Sequence, residues 1–197
     1  MPQVSKREQI IDAATQLFFA EGFNATGIEK IRDAANVSKK TLYNHFRSKE
    51  ELILAVLRRE DENLRNWLVR SVDELGRDPQ RRLLGLFDVY AGWIHSEGFR
   101  GCLFTKAACE FADPENKCKA ISREAKRLVK QAIKQLVVDT GAPDPDTLTD
   151  QINLLVQGAV VQAQVAEDLS AIRVAKDMAA VLIGVGSSPA ADSTRPA

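Results

Sequence analysis

The sequence predicts an all-α protein of about nine helices, because apolar residues recur at three- and four-residue intervals through most of the chain. Two further features agree. Ser or Thr with Glu three residues later marks helix starts at Thr26 and Ser48. Gly and Pro fall where the periodic runs stop: Gly76 and Pro79, Gly98 and Gly101, Pro114, and Gly141 to Pro145.

A leading helix carries Ala13-Ala14 and Leu17-Phe18 and stops near Gly22. Thr26 and Glu29 then read as a capping box, each side chain satisfying a free backbone N–H. Ile28, Ile31 and Ala35 follow at i, i+3, i+7, an inward stripe. Asn36 is the expected turn residue, since Asn tolerates the left-handed conformation, and the turn spans Ala35 to Val37. Ser38 is a natural N-cap for the next helix, whose Leu42 and Phe46 share one face and can pack on its predecessor. Lys39, Lys40, Thr41, Tyr43, Asn44 and His45 are left to face outward. They are donors and small polar groups that suit phosphates and base edges, beside a helix start that favours anions.

Charge is placed accordingly. Between 27 and 49 six basic residues stand against two acidic ones, while the whole chain has a formal net charge of +0. A localised basic patch is the footprint of one small module touching DNA while the remainder does another job.

Ser48 and Glu51 form a second capping box and open a long helix carrying Leu52, Val56, Leu64, Trp67, Leu68 and Leu75, expected to join the first module rigidly to the rest. Helices follow over 80–97, 102–112 and 116–139. The last has Cys118, Ile121, Ala125, Leu128, Val129, Ala132, Ile133, Leu136 and Val137 on one side. Its opposite side holds Lys117, Lys119, Arg123, Lys126, Arg127, Lys130 and Lys134, read as a solvated face rather than a second nucleic-acid surface. Helices over about 146–167 and 169–183 are apolar nearly all round, with Gly158, Ala159, Ala163 and Ala166 allowing close approach. Surplus apolar surface of this kind implies self-association, because monomers rarely leave such patches bare. Residues 185–197, rich in Ser, Pro and Ala, show no apolar period and are expected to be a disordered tail.

Several function classes are disfavoured. No window has the apolar length of a membrane span, and the N-terminus is charged from Lys6 to Glu8 rather than carrying a signal core. Three cysteines at no zinc-finger spacing fit a reducing cytoplasm. No phosphate-binding glycine loop, His-Glu-x-x-His pair or nucleophile elbow is present, so no catalytic residue, metal site or cofactor is expected.

Residues 5 to 55 resemble the DNA-binding domain of the TetR family of bacterial transcriptional regulators. The likeness rests on Ala13-Ala14, Leu17-Phe18, Gly22-Phe23, Thr26, the run Val37-Ser38-Lys39-Lys40-Thr41-Leu42-Tyr43-Asn44-His45-Phe46, and Ser48-Lys49-Glu50-Glu51-Leu52. Three positions depart from the usual pattern: Asn36 for glycine, and Arg32 and Lys40 for small residues, the last two adding positive charge.

The resemblance implies a helix-turn-helix domain over 1–48 and an effector-binding and dimerisation domain over 49–184. It implies that Lys39, Thr41 and Tyr43 reach the major groove of double-stranded DNA, that His45 and Lys49 hold phosphates, and that Thr26 offers its backbone N–H. Ser38, Lys40 and Asn44 complete the expected DNA-facing set, with Lys6 and Arg7 as outlying candidates. Family likeness also implies a homodimer built from the last two helices, reading a pseudo-palindromic operator, and a repressor released by a small apolar or amphipathic effector. Phe87, Tyr90, Trp93, Phe104 and Cys109 come from the stretch that lines the ligand cavity in similar regulators; plain core packing is the competing reading. Two rival functions stay open. One is a regulator answering to oxidation of Cys102 and Cys109, and the other is a helical enzyme or binding protein with a vestigial DNA-binding part.

Overall fold

The computed structural model describes residues 5–184, in which nine helices and no strands occur. They are α1 (Lys6–Glu21), α2 (Ile28–Ala34), α3 (Lys39–His45), α4 (Lys49–Asp73), α5 (Pro79–Ile94), α6 (Leu103–Glu110), α7 (Lys117–Asp139), α8 (Pro145–Val165) and α9 (Ala171–Leu182). The tail expected over 185–197 lies outside the described residues.

Most helix starts are local capping events. Ser5, Ser38, Asp78 and Asp144 each accept a backbone N–H from three residues on, and Pro79 and Pro145 take first-turn positions where a missing N–H costs nothing. Ser48 and Glu51 behave as expected, with Glu51 N–H donating to Ser48 Oγ at 3.1 Å. The Glu51 carboxylate reaches back to the N–H of Arg47 at 2.8 Å. The capping box assigned to Thr26 is not formed. Gly27 is the N-cap of α2 and makes no side-chain cap, while Thr26 is wholly buried and its hydroxyl donates to Gly22 O at 2.6 Å. Thr26 therefore closes the segment before α2 from within.

Packing divides the chain into two compact units that do not follow chain order. One comprises the described residues up to Arg70 together with Gly98–Gln131, the other Ser71–Glu97 with the residues from Ala132 onward. α6 and the first part of α7 pack with the N-terminal helices.

In the first unit a single core joins Ile10, Ala14 and Phe18 of α1 to Ile31 of α2, Leu42 of α3, Leu52, Val56 and Leu57 of α4, Phe104 and Ala107 of α6, and Cys118 and Ala125 of α7. Each large apolar side chain among them contributes about 1.5–3 kcal/mol by leaving water. Arg59 adds a polar tie between α4 and α1, donating to Thr15 Oγ1 at 2.8 Å and pairing with Asp12. Burial raises the neighbouring Glu60 carboxyl, with Arg59 opposing that rise.

In the second unit α8 packs on α9, and α5 packs on both. Leu86, Phe87 and Tyr90 of α5 are buried, as are Ile152, Val156 and Ala159 of α8 and Ile172, Ala175 and Ala179 of α9. The fifth helix ends at Ile94, short of the expected 97. His95 Nδ1 lies 2.7 Å from Ala91 O and Ser96 Oγ donates to Trp93 O at 2.6 Å, so side chains satisfy its last carbonyls.

Candidate nucleic-acid interface

α2 and α3 are each seven residues long and are joined by a turn at Asn36, whose φ of 49° is left-handed. The N–H of Asn36 donates to Asp33 O at 3.0 Å and that of Val37 to Arg32 O at 3.3 Å, which satisfies free carbonyls of α2. Asn36 does the work expected of glycine here. α3 is then anchored on its inner face by Leu42, 1% exposed, and by Phe46 just after its end, 2% exposed.

The outer face of α3 is as anticipated from the heptapeptide Lys39–His45. Lys39, Lys40, Tyr43, Asn44 and His45 are exposed, and Thr41 is half-buried. Ser38 Oγ accepts the Thr41 N–H at 3.0 Å and lies 2.8 Å from Thr41 Oγ1, so Ser38 sets the helix start and orients the threonine hydroxyl. Lys49 Nζ donates to Asn24 O at 3.3 Å, which occupies one of its three donors and leaves two for an incoming oxygen. Arg7 stacks over the Phe46 ring at 5.5 Å, a cation–π contact that ties the start of α1 to the end of α3.

The positive charge on offer is smaller than the run of basic residues suggests. Arg32 does not stand ready for phosphate: its Nε donates to Asp33 Oδ1 at 2.9 Å and its head also pairs with Glu29. Its hydrogen bonding to Asp33, with help from Glu29, holds that guanidinium above even its ordinary value. Lys30 pairs with Glu21, and Lys39 lies 3.4 Å from Glu29. Among the described residues, Lys40 and Arg47 carry no ion-pair partner, and with Lys49 they make up the available positive charge.

The expected pocket residues part company. Phe104 belongs to the core of the first unit, and Cys109 is exposed on α6. In the second unit Tyr90 is buried and meets Trp93 edge-on with ring centroids 6.0 Å apart. Phe87 borders an open cavity of about 750 Å³ between α5 and α9, with Ile172 beside it and Asp88, His95 and Lys176 at its rim. On the basic side of α7, Lys119 donates to Ala112 O at 2.7 Å, Arg127 pairs with Glu124, and Lys134 meets Asp146 at 2.7 Å. No group of three or more metal-ligating side chains occurs among the described residues, and no described helix is long and apolar enough to cross a membrane.

Two residues that sequence reasoning passed over shape this interface from outside it. Glu110 and Lys106 of α6 bond to the end of α1 and the connection between α1 and α2. No local pattern marks them, since they lie 87 residues from their partners.

A short helix fixed by a tight turn, with its polar face out and an α-helical body behind it, defines a helix-turn-helix DNA-binding protein. Family comparison agrees for most of the chain. The model described as "Bacterial regulatory proteins, tetR family" matches residues 10–56, and that described as "Tetracyclin repressor-like, C-terminal domain" matches residues 79–179. The transcriptional activator FasR of Mycolicibacterium smegmatis is 38% identical over 51% of this chain and 46% of its own length. The chain thus spans about half the length of that relative. The transcriptional repressor DhaR of a Mycobacterium species is 26% identical over 84% of this chain and 85% of its own. Among solved structures, a TetR-family transcriptional regulator from Streptomyces coelicolor superposes with a TM-score of 0.85 at 24% identity, covering 92% of this chain and 90% of that one. The chain belongs to the TetR family of bacterial transcriptional regulators. It is a DNA-binding regulator of transcription.

Proposed function

We propose that this regulator acts as a homodimer whose two α3 helices read a pseudo-palindromic operator, and that it is a cytoplasmic repressor released by a small apolar or amphipathic effector. The observation that carries the dimer is the outer face of α8 and α9. Leu154 is 70% exposed, Val165 77% and Val181 70%, with Met178 at 53%, far more apolar surface than a lone chain leaves in water. A groove of about 530 Å³ runs among Leu154, Leu155, Met178, Val181 and Leu182 and offers a seat for the matching helices of a second copy. Two α3 helices held about 34–36 Å apart would match successive turns of duplex DNA. The cavity at Phe87, with its apolar floor and charged rim, suits an amphipathic effector. Such a ligand shifts the protein from its DNA-competent state only by its differential affinity for the other state.

The test combines sedimentation of the purified chain with selection of a randomised duplex library, and then measures salt dependence on the recovered duplex. Lys49→Ala is expected to weaken every sequence alike and to flatten the log–log salt slope by about 1 for each phosphate that a subunit no longer neutralises. Thr41→Ala or Lys39→Ala is expected to cost about 1–3 kcal/mol per half-site on the selected duplex and far less on random DNA. An equal loss on both would remove base reading from Thr41 and Lys39. Failure to retain any duplex would overturn the reading as a whole.

One observation favours a second reading, control through a thiol. Burial pushes the Cys102 thiol up, but the Lys126 ammonium and hydrogen bonding from Thr105 more than offset it, and the thiol sits below its ordinary value. Cys118 is fully buried and is pushed up to about 11, by burial first and Glu50 second. Iodoacetamide at neutral pH is therefore expected to modify Cys102 and Cys109 in the native protein and to spare Cys118 until the chain unfolds, as read by peptide mass. Unchanged regulation in Cys102→Ser with Cys109→Ser would eliminate the thiol reading.

A further inference from the structure

The connection between α1 and α2 is held from outside the helix-turn-helix. Glu110, the last residue of α6, accepts the N–H of Phe23 at 2.9 Å on one carboxylate oxygen and that of Asn24 at 2.7 Å on the other. One turn earlier on the same face, Lys106 Nζ donates to Phe19 O at 2.7 Å. A single face of α6 thus offers a cation to the carbonyl end of α1 and an anion to the free amides just beyond it. This charge order matches the polarity of a helix terminus. Phe111 adds its ring to that of Phe23, with centroids 5.6 Å apart.

Gly22 makes this approach possible. Its φ of 87° is left-handed, and a Cβ placed there would lie 2.6 Å from Glu110 Oε1. Beyond it, Asn24 O receives Lys49 Nζ and Gly22 O receives the buried Thr26 hydroxyl. This short connection sets where α2 begins. α2 in turn carries α3, since Ile31 and Leu42 share one core.

We propose that Glu110 is a positioning residue for DNA recognition. The α6 carboxylate fixes the α1–α2 connection, Lys106 anchors the end of α1, and α3 is presented to the duplex only while α6 holds that connection. The inference rests on α3 as the reading helix and names α6 as the element that governs it. Two amides converging on one carboxylate make a charge-assisted pair, stronger than neutral bonds. A glutamine of the same shape can accept one amide but turns its own NH₂ toward the other. Glu110→Gln is therefore the discriminating change.

The probe is the duplex recovered from a randomised library with the wild-type chain, with sheared genomic DNA as the non-specific comparison. Glu110→Gln is expected to lower affinity for the selected duplex about tenfold, the value of one lost charge-assisted bond. The loss on sheared DNA should be smaller, because phosphate contacts survive a loosened α3. Amide exchange at Phe23 and Asn24 should speed up in the same variant, and Glu115→Gln, an equal charge change on the exposed turn after α6, should alter neither readout. Should Glu110→Gln misfold, Lys106→Met removes only the anchor on Phe19 O and is expected to weaken the selected duplex in the same direction by a smaller factor. Selected-duplex affinity within twofold of wild type while Phe23 and Asn24 exchange faster would overturn the proposal, as would unchanged exchange at both. Wild-type chain that retains no duplex sinks α3 as the reading helix and this inference with it, whereas retention with an indifferent Glu110→Gln sinks this inference alone.

Discussion

A chain carrying Leu154→Glu and Val181→Glu is expected to sediment as a monomer and to bind its selected duplex about 10²–10⁴ times more weakly, the scale of what two linked half-sites gain over one. Both residues are 70% exposed in the single chain, so charge placed there meets water and leaves the fold intact. In a two-fold interface each glutamate faces a copy of the same patch, and four carboxylates must then lose their hydration without partners. Circular dichroism unchanged from wild type, together with a halved mass and lost operator binding, is the expected set of results. A dimer that persists in the double variant would move the interface elsewhere on the molecule.

Gly22→Ala is expected to cost about 3 kcal/mol of stability, because two effects coincide there. With φ 87° and ψ 170°, Gly22 occupies backbone space that is open essentially to glycine alone. The added methyl also displaces the Glu110 carboxylate from the amides of Phe23 and Asn24. Chemical denaturation of the single and double variants separates these effects. In a Glu110→Ala background the carboxylate is already gone, and Gly22→Ala should cost only the backbone strain, so the double variant loses less than the two single losses added together. Strict additivity would mean that the carboxylate moves aside freely and that Gly22 matters through φ alone.

Much of the architecture is legible in the chain. Ser38 with Leu42 and Phe46 announces α3, Asn36 the turn, and Ser48 with Glu51 the start of α4, because each acts through groups within a turn or two. The same locality explains the errors. Thr26 has the residue type and spacing of a cap, yet a hydroxyl is indifferent to which backbone group it bonds, and the nearby Gly22 carbonyl won. Arg32 counts as free charge along the sequence, whereas Glu29 and Asp33 on its own helix hold it. Phe104 in the core and Cys109 on the surface of α6 are placed by packing, which their shared aromatic-rich stretch does not reveal.

What the sequence determined by itself is the all-helical plan, the polar face of Lys39–His45 and the surplus apolar surface of the last two helices, since hydrogen bonds and side-chain periods repeat within a turn or two. Tertiary structure alone decided which helix steadies the reading head. Glu110 and Lys106 reach backbone groups 87 residues away, and bonds at that separation arise only when packing brings α6 against α1.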